Sequence, residues 1–217
     1  MSQDDSPARS VGRPKNPVSR QFLLEKAREA FAQEGFAGAS MGDIAERSGL
    51  RKSSLFHHFP SKEALYQEVF GLIVSDLGEL ATEAQQVAED ASFLDRLDKL
   101  TEDLVRYLAT HSDAAKLLVR EFVDEGPFFA SSGRRGAHAV LKAAGVFLAD
   151  GMSSGAIVEQ DPDHLVMSLT GLQMMWFAAS PVSDDLIEGS VFDEERIAHR
   201  VRAVKQQVRL LCGALPA

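Results

Sequence analysis

Ser40-Met41-Gly42-Asp43-Ile44-Ala45-Glu46-Arg47-Ser48-Gly49-Leu50 runs without a gap into Arg51-Lys52-Ser53-Ser54-Leu55-Phe56-His57-His58, and this stretch decides how the chain is read. It has the grammar of a helix-turn-helix. Two short helices that cross steeply need a small residue where they touch, and Ala45 stands there. The turn needs a residue tolerant of positive φ, and Gly49 follows four residues later. Ile44, Leu50 and Leu55 supply a small shared apolar core. Ser40 and Asp43 have the spacing of a capping box, with Asp in place of the usual Glu, to open the first helix. The second helix is expected from about Lys52 to His58, ahead of Pro60.

Three cations stand where a helix dipole opposes them. Arg51 and Lys52 open the second helix, and Lys62 lies in the first turn of the helix that follows. Each such placement costs about 0.3–1 kcal/mol on its own. A bound phosphate reverses the sign, because N-terminal amides and cations then converge on one anion. The adjacent pair His57-His58 diverges by about 100° on a helix, so it is poorly placed to chelate one ion. No Cys, Asp or Glu lies nearby at ligand spacing, and neither a metal nor another cofactor is expected. His57 is expected to face a nucleic acid and His58 to sit under the turn.

Charge is distributed accordingly. The 217 residues sum to −9, which taken whole argues against nucleic acid as a partner. From Arg9 to Lys62, however, ten basic residues face five acidic ones, giving +5, and the remainder carries −14. This is a basic N-terminal segment on an acidic body. A single cysteine, Cys212, cannot form an internal disulfide, which fits a reducing cytoplasm. Met1 to Gln21 is polar and shows no secretory signal. Leu165 to Ser183 is uncharged and long enough to suggest a membrane span, yet Ser168, Thr170, Gln173, Ser180 and Pro181 favour a buried helix and no membrane partner.

The chain reads as all-α, with about nine helices. Residues 1–16 are polar and expected to be a disordered basic arm. A first helix begins near Pro17 or Ser19, with Phe22, Leu23, Ala27, Ala30 and Phe31 on one stripe and Gly35 as a stop. Ser61 can cap a long helix through Leu65, Val69, Ile73, Leu77 and Leu80 to roughly Glu89, about 40 Å at 1.5 Å per residue. Gly71 and Gly78 inside it permit close packing or a bend. Amphipathic helices are expected at about 92–110, 113–124, 134–150, 163–180 and 194–213, with a break from Pro181 to Phe192. No strand alternation persists.

Residues 17 to 78 resemble the N-terminal domain of the TetR/AcrR (tetracycline-repressor-like) family of bacterial transcriptional regulators. The run Ser40 to Leu50 carries the resemblance, and Ser53-Ser54-Leu55-Phe56-His57-His58-Phe59-Pro60-Ser61-Lys62-Glu63-Ala64-Leu65 continues it. The remainder resembles the family only in length, helix count and all-α character. The resemblance implies a DNA-binding domain over 17–77 with its motif at 40–59, and a ligand-binding and dimerisation domain over 78–217. It also implies a homodimer that sets two recognition helices in successive major grooves of double-stranded DNA. Carried over by position, Arg51, Lys52, Ser53, Ser54, Phe56 and His57 are the recognition-helix candidates, and Ser40 and Lys62 hold phosphates. Phe56 stands where the family usually has Tyr, so a hydroxyl contact is lost. Gly42 replaces a larger polar or basic residue. Arg13 and Lys15, in Gly12-Arg13-Pro14-Lys15, either lie in a minor groove or add local charge only.

The acidic body offers aromatic and methionine positions for a sensor surface. Phe122, Phe128, Phe129, Phe147, Met152 and Met174 are candidates, with Arg120 and Gln173 as polar anchors and core packing as the alternative. Leu165, Leu169, Leu172 and Trp176 form one stripe, and Ile197, Val201, Val204, Val208 and Leu211 another. Paired with a second copy, these would make a four-helix bundle. No nucleophile motif, phosphate-cradling loop or metal-ligand cluster is present, so an enzyme is not expected, and Glu121, Asp124 and Glu125 read as a solvated helix end. The functional expectation is a homodimeric repressor on a palindromic operator, released by an unidentified apolar small molecule that repositions the long helix. The alternative is a DNA-binding architectural or protein-recruiting factor of the same fold with no inducer.

Overall fold

Helix starts are written into the chain by hydroxyl and carboxylate side chains. Ser19, Ser40, Ser61, Ser92 and Asp161 each adopt an extended backbone and accept a hydrogen bond from an amide of the following first turn. The computed structural model describes residues 18–86, 91–124, 126–131 and 133–214. The expected basic arm over 1–16, including Arg13 and Lys15, lies outside the described residues, as do Glu89 and Glu125.

Ten helices follow among the described residues: α1 (Arg20–Gly38), α2 (Met41–Arg47), α3 (Lys52–His58), α4 (Lys62–Gln85), α5 (Phe93–Thr110), α6 (Ser112–Asp124), α7 (Gly133–Ser153), α8 (Pro162–Ala178), α9 (Ser180–Ile187) and α10 (Glu194–Leu211). The all-α expectation holds, with one helix more than expected. The addition is α9, inside the segment read as a break. Pro181 falls in its first turn, where a missing N–H removes no helical hydrogen bond, so this proline opens a helix. No single helix among the described residues is long and apolar enough to cross a membrane, and the apolar pair α8–α9 is bent by 79°.

Local expectations are met in part. Gly35 leaves helical geometry at φ 72°, ψ 173°, but α1 adds a further turn beyond it. Phe22 is 38% exposed, and Leu24 takes its place on the buried stripe of α1. At α2, Ser40 Oγ accepts from the Asp43 amide, while the Asp43 carboxylate accepts from the Ser40 hydroxyl at 2.7 Å in place of the backbone N–H. The complete capping box is at Ser92 and Asp95.

The N-terminal core is closed by Leu23, Ala27 and Phe31 of α1, Ile44 and Ala45 of α2, Leu55 of α3, and Leu65 and Phe70 of α4. Helix α4 has 24 residues, about 36 Å, and the expected domain boundary at 77/78 falls inside it. Its later turns pack on α5 and α7, while α5 packs on α10, and α6 on α8 and α1.

The expected dimer stripes are corrected here. Leu165 and Leu169 of α8, and Ile197, Val201, Val204 and Val208 of α10, are buried inside the subunit, with Leu172 and Trp176 packed at the margin of the same core; Leu211 is exposed. The free face of α8 is instead His164, Met167, Ser168, Gly171 and Met175, and that of α10 includes His199, Arg202, Gln206 and Leu210.

Candidate nucleic-acid interface and body cavity

The α2–α3 turn is closed by backbone geometry. The Gly49 amide donates to Glu46 O at 2.9 Å and the Leu50 amide to Ala45 O at 2.8 Å, the two bonds of a Schellman motif. Gly49 has φ +68°, and a Cβ there would meet nothing within 4 Å. The backbone angle, rather than crowding, calls for glycine. Leu55 is completely buried against this unit, which turns the opposite face of α3 outward.

On that face lie Lys52, Ser53, Phe56 and His57, all exposed, with Phe56 at 42%. Ser40 and Arg51 are exposed beside them, and Ser54 is turned partly inward. Arg51 caps α3 without a side-chain hydrogen bond. Neither Arg51 nor Lys52 enters an ion pair among the described residues. His58 does not sit under the turn; it is exposed, and its carbonyl accepts a 3.0 Å hydrogen bond from Arg20.

Lys62 has a partner that its position in the chain did not reveal. Its ammonium donates to Phe36 O at 2.7 Å and Ala39 O at 3.1 Å, and lies 4.4 Å from the Phe36 ring centroid. A cation opposed by the dipole of α4 is thus favoured by the carbonyl end of α1. Arg20, not singled out from the sequence, pairs through Nε and Nη2 with Glu68 of α4 and stacks 4.3 Å from the Phe59 ring centroid. With partners 38 to 48 residues away, it left no local pattern to read.

Behind this surface, α4 is tied to the body. Tyr66 Oη donates to Glu121 Oε2 at 2.7 Å, and Glu121 Oε1 accepts from the Phe129 amide at 2.7 Å. Glu121 is 1% exposed, which corrects the solvated-helix-end reading for this residue; Asp124 is exposed. Gly126 is needed beside it, because a Cβ there would fall on the Glu121 carboxylate. Burial, and then the hydrogen bond to Glu121, raises the Tyr66 hydroxyl well above the ordinary tyrosine value. Next along α4, Gln67 donates to Pro127 O and accepts from Ser131 Oγ, each at 3.0 Å.

A cavity of about 160 Å³ lies between α4, α5, α6, α7 and α8, with Val208 of α10 also in its lining. Among the expected sensor residues, Phe122, Phe147, Gln173 and Met174 line it; Arg120, Phe128, Phe129 and Met152 do not. The Arg120 guanidinium lies against Gly35, where an added Cβ would come within 2.8 Å of it. Phe128 stacks on Phe70, and Met152 packs on the core. Val74, Leu77, Leu80 and Ala81 of α4 form a wall that sequence reasoning did not assign to a pocket. The available signal was the apolar stripe of α4, which continues beyond the turns that the N-terminal core uses.

Aromatic rings connect the two regions. Phe31 meets Tyr66 at 4.8 Å, Tyr66 meets Phe70 at 4.8 Å, and Phe70 meets Phe128 at 4.9 Å. Phe128 then meets Phe129 at 5.9 Å, and Phe129 meets the cavity residue Phe122 at 5.1 Å. Among the described residues no group of three or more His, Cys, Asp or Glu could hold a metal ion.

Residues 23–69 match the model of the bacterial regulatory proteins of the tetR family. The transcriptional regulator AcrR of Shigella flexneri is 33% identical over 107 residues, covering 48% of this chain and 47% of that protein, so the match spans about half of its length. The regulator RutR of Escherichia coli K12 is 26% identical over 178 residues, covering 81% of this chain and 80% of that protein. Among solved structures, FadR from Bacillus subtilis in complex with stearoyl-CoA shares the fold, with a TM-score of 0.64 at 16% identity, over 89% of this chain and 98% of that one.

Proposed function

This chain belongs to the TetR/AcrR family of transcriptional regulators, and on that footing we propose that it is a homodimeric repressor that leaves a palindromic operator when an apolar small molecule enters the cavity. The observation that carries this reading is the double use of α4. Its first turns close the core under α3, and its later turns are a wall of the cavity. Displacing that wall moves α4, which follows α3 directly in the chain and packs on α1, the helix that carries α2, and a ligand that prefers one position of α4 shifts the population toward it.

On the DNA side, Ser40, Arg51 and Lys52 take phosphates, while Ser53, Phe56 and His57 enter the major groove, with Ser54 at its edge. Phe56 offers apolar contact to a thymine methyl. Lys62, with two ammonium donors committed to α1, has one left for a phosphate. One short helix reads few base pairs, so a second copy is needed to engage half-sites about 34–36 Å apart or a multiple of that. The second copy seats on the free faces of α8 and α10, where Met167, Met175 and Leu210 are each more than half exposed. The FadR structure holds stearoyl-CoA, a ligand with an apolar acyl end, and the mostly apolar lining here supports an apolar ligand.

The test is binding of the purified chain to palindromic duplexes from the DNA flanking its gene, followed as salt rises. Affinity should fall steeply, because phosphate contacts release counterions. Absence of binding to every flanking fragment at low salt overturns the proposal.

A further inference from the structure

We infer that the cavity takes a neutral, largely apolar molecule about the size of one substituted aromatic ring, held through a hydroxyl or N–H group that pairs with the Gln173 amide. This rests on the reading of the cavity as the effector site and specifies its chemistry.

Charge is the first constraint. Among the described residues no charged side chain lines the cavity. An anionic or cationic group carried inside would lose its hydration and find no counter-charge, so binding energy is spent against it. The polar atoms form the second constraint. Thr170 and Gln173 stand three residues apart on α8, and so on one face of it, while Thr101 belongs to α5, which packs on α8. The hydroxyl protons of Thr101 and Thr170 are already given to Leu97 O at 2.7 Å and Val166 O at 2.8 Å, leaving those oxygens able only to accept. Gln173 is 6% exposed, and its Oε1 is buried without any hydrogen-bond partner among the described residues. Buried amide oxygens are nearly always satisfied, so this one marks a missing donor. The three oxygens can therefore only accept, which a hydroxyl or N–H satisfies and a carboxylate or phosphate does not; the Gln173 amide nitrogen, which also makes no hydrogen bond among the described residues, can donate to the same hydroxyl.

Size is the third constraint. An apolar cavity of about 150 Å³ takes benzene, and this one, about 160 Å³, has room for a ring with a small substituent. It falls far short of a long acyl chain.

The experiment titrates the full chain with phenol, toluene and benzoate, following melting temperature and heats of binding. It is repeated on Gln173→Leu and Gln173→Met, which replace an unsatisfied buried polar group with apolar ones and should fold at least as well. In the native chain phenol is expected to bind about three- to tenfold more tightly than toluene, with benzoate weakest. Both variants should abolish the phenol–toluene difference, read as the ratio of the two affinities within each variant. Benzoate binding more tightly than phenol, or a phenol preference that survives both substitutions, overturns the inference and leaves the effector site standing. No response to any of the three probes overturns both.

Discussion

Substituting Tyr66 by Phe tests the tie between α4 and α6 of the body. The change removes one oxygen and leaves the ring, so the packing of Tyr66 between Phe31 and Phe70 is preserved. What is lost is the 2.7 Å hydrogen bond to Glu121. Glu121 is almost completely buried, and without Tyr66 its carboxylate keeps one hydrogen bond, from the Phe129 amide. A hydrogen bond to a charged group contributes about 1.5–3 kcal/mol, and leaving the charged partner under-satisfied keeps the loss at that level. The expected destabilisation is therefore about 2 kcal/mol, or about 4–8 °C in melting temperature for a chain of this size. Glu121→Gln should cost less, about 1 kcal/mol or below. Its carbonyl can still accept from Phe129, and its amide can donate to the Tyr66 oxygen. Urea unfolding of both single variants and the double variant gives the coupling directly, provided the denaturant slope is unchanged. Should Tyr66→Phe cost less than about 0.5 kcal/mol, the idea that this bond sustains a buried carboxylate is wrong.

Four further outcomes are expected. Gly49→Ala has open space but must hold φ +68°, so it should lose about 1–2 kcal/mol by calorimetry and weaken operator binding; an unchanged melting temperature would show that the turn relaxes at no cost. Lys62→Met should lower stability by about 1 kcal/mol, because the carbonyls of Phe36 and Ala39 lose their donor; a flatter salt slope of DNA binding with unaltered urea midpoint would instead assign the ammonium to phosphate alone. Gly171→Arg lies on the free face of α8, where a Cβ meets nothing within 4 Å. It should leave the subunit folded while sedimentation shifts from dimer to monomer, and a dimer that persists would put the interface elsewhere. The hydrogen bonds from Lys205 and Arg106 hold the Glu102 carboxyl below the usual carboxylate range. A carboxyl whose value is lowered on folding stabilises the native state above its unfolded value and ceases to do so as pH falls through the folded one. Stability should thus drop below about pH 4, and Glu102→Gln should be less stable at neutral pH with a shallower acid limb; identical acid limbs would refute the assignment.

The recognition unit was legible because its determinants are local. Gly49 and Ala45 lie within a few residues of what they shape, and the serine caps bond to amides three residues onward. A rule that operates over one helical turn can be read from one helical turn of sequence. The exposed set on α3 follows in the same way, since burying Leu55 fixes the rotation of a seven-residue helix.

Where the partner is distant, the same local rules mislead. Lys62 stands at a helix start, which argues for an anion, yet its donors go to carbonyls 23 and 26 residues upstream. Glu121 stands near other acids, which argues for solvent, yet Tyr66, 55 residues away, makes its burial tenable. For α8 the difficulty is of another kind. From Leu165 to Ser183 there is no charge to mark the outer face, so two apolar stripes compete for the core and periodicity does not choose between them. Leu165 and Leu169 go inward because α5 and α6 offer them a core within the same chain. Met167 and Met175 remain outside. Burying a methionine contributes about 1.5–3 kcal/mol, so a face that leaves both exposed retains free energy for a second subunit to use. From Leu165 onward the same helix therefore supplies the core with one stripe, the cavity with Gln173 and Met174, and the proposed dimer with the third face, which is why its sequence does not betray a single role.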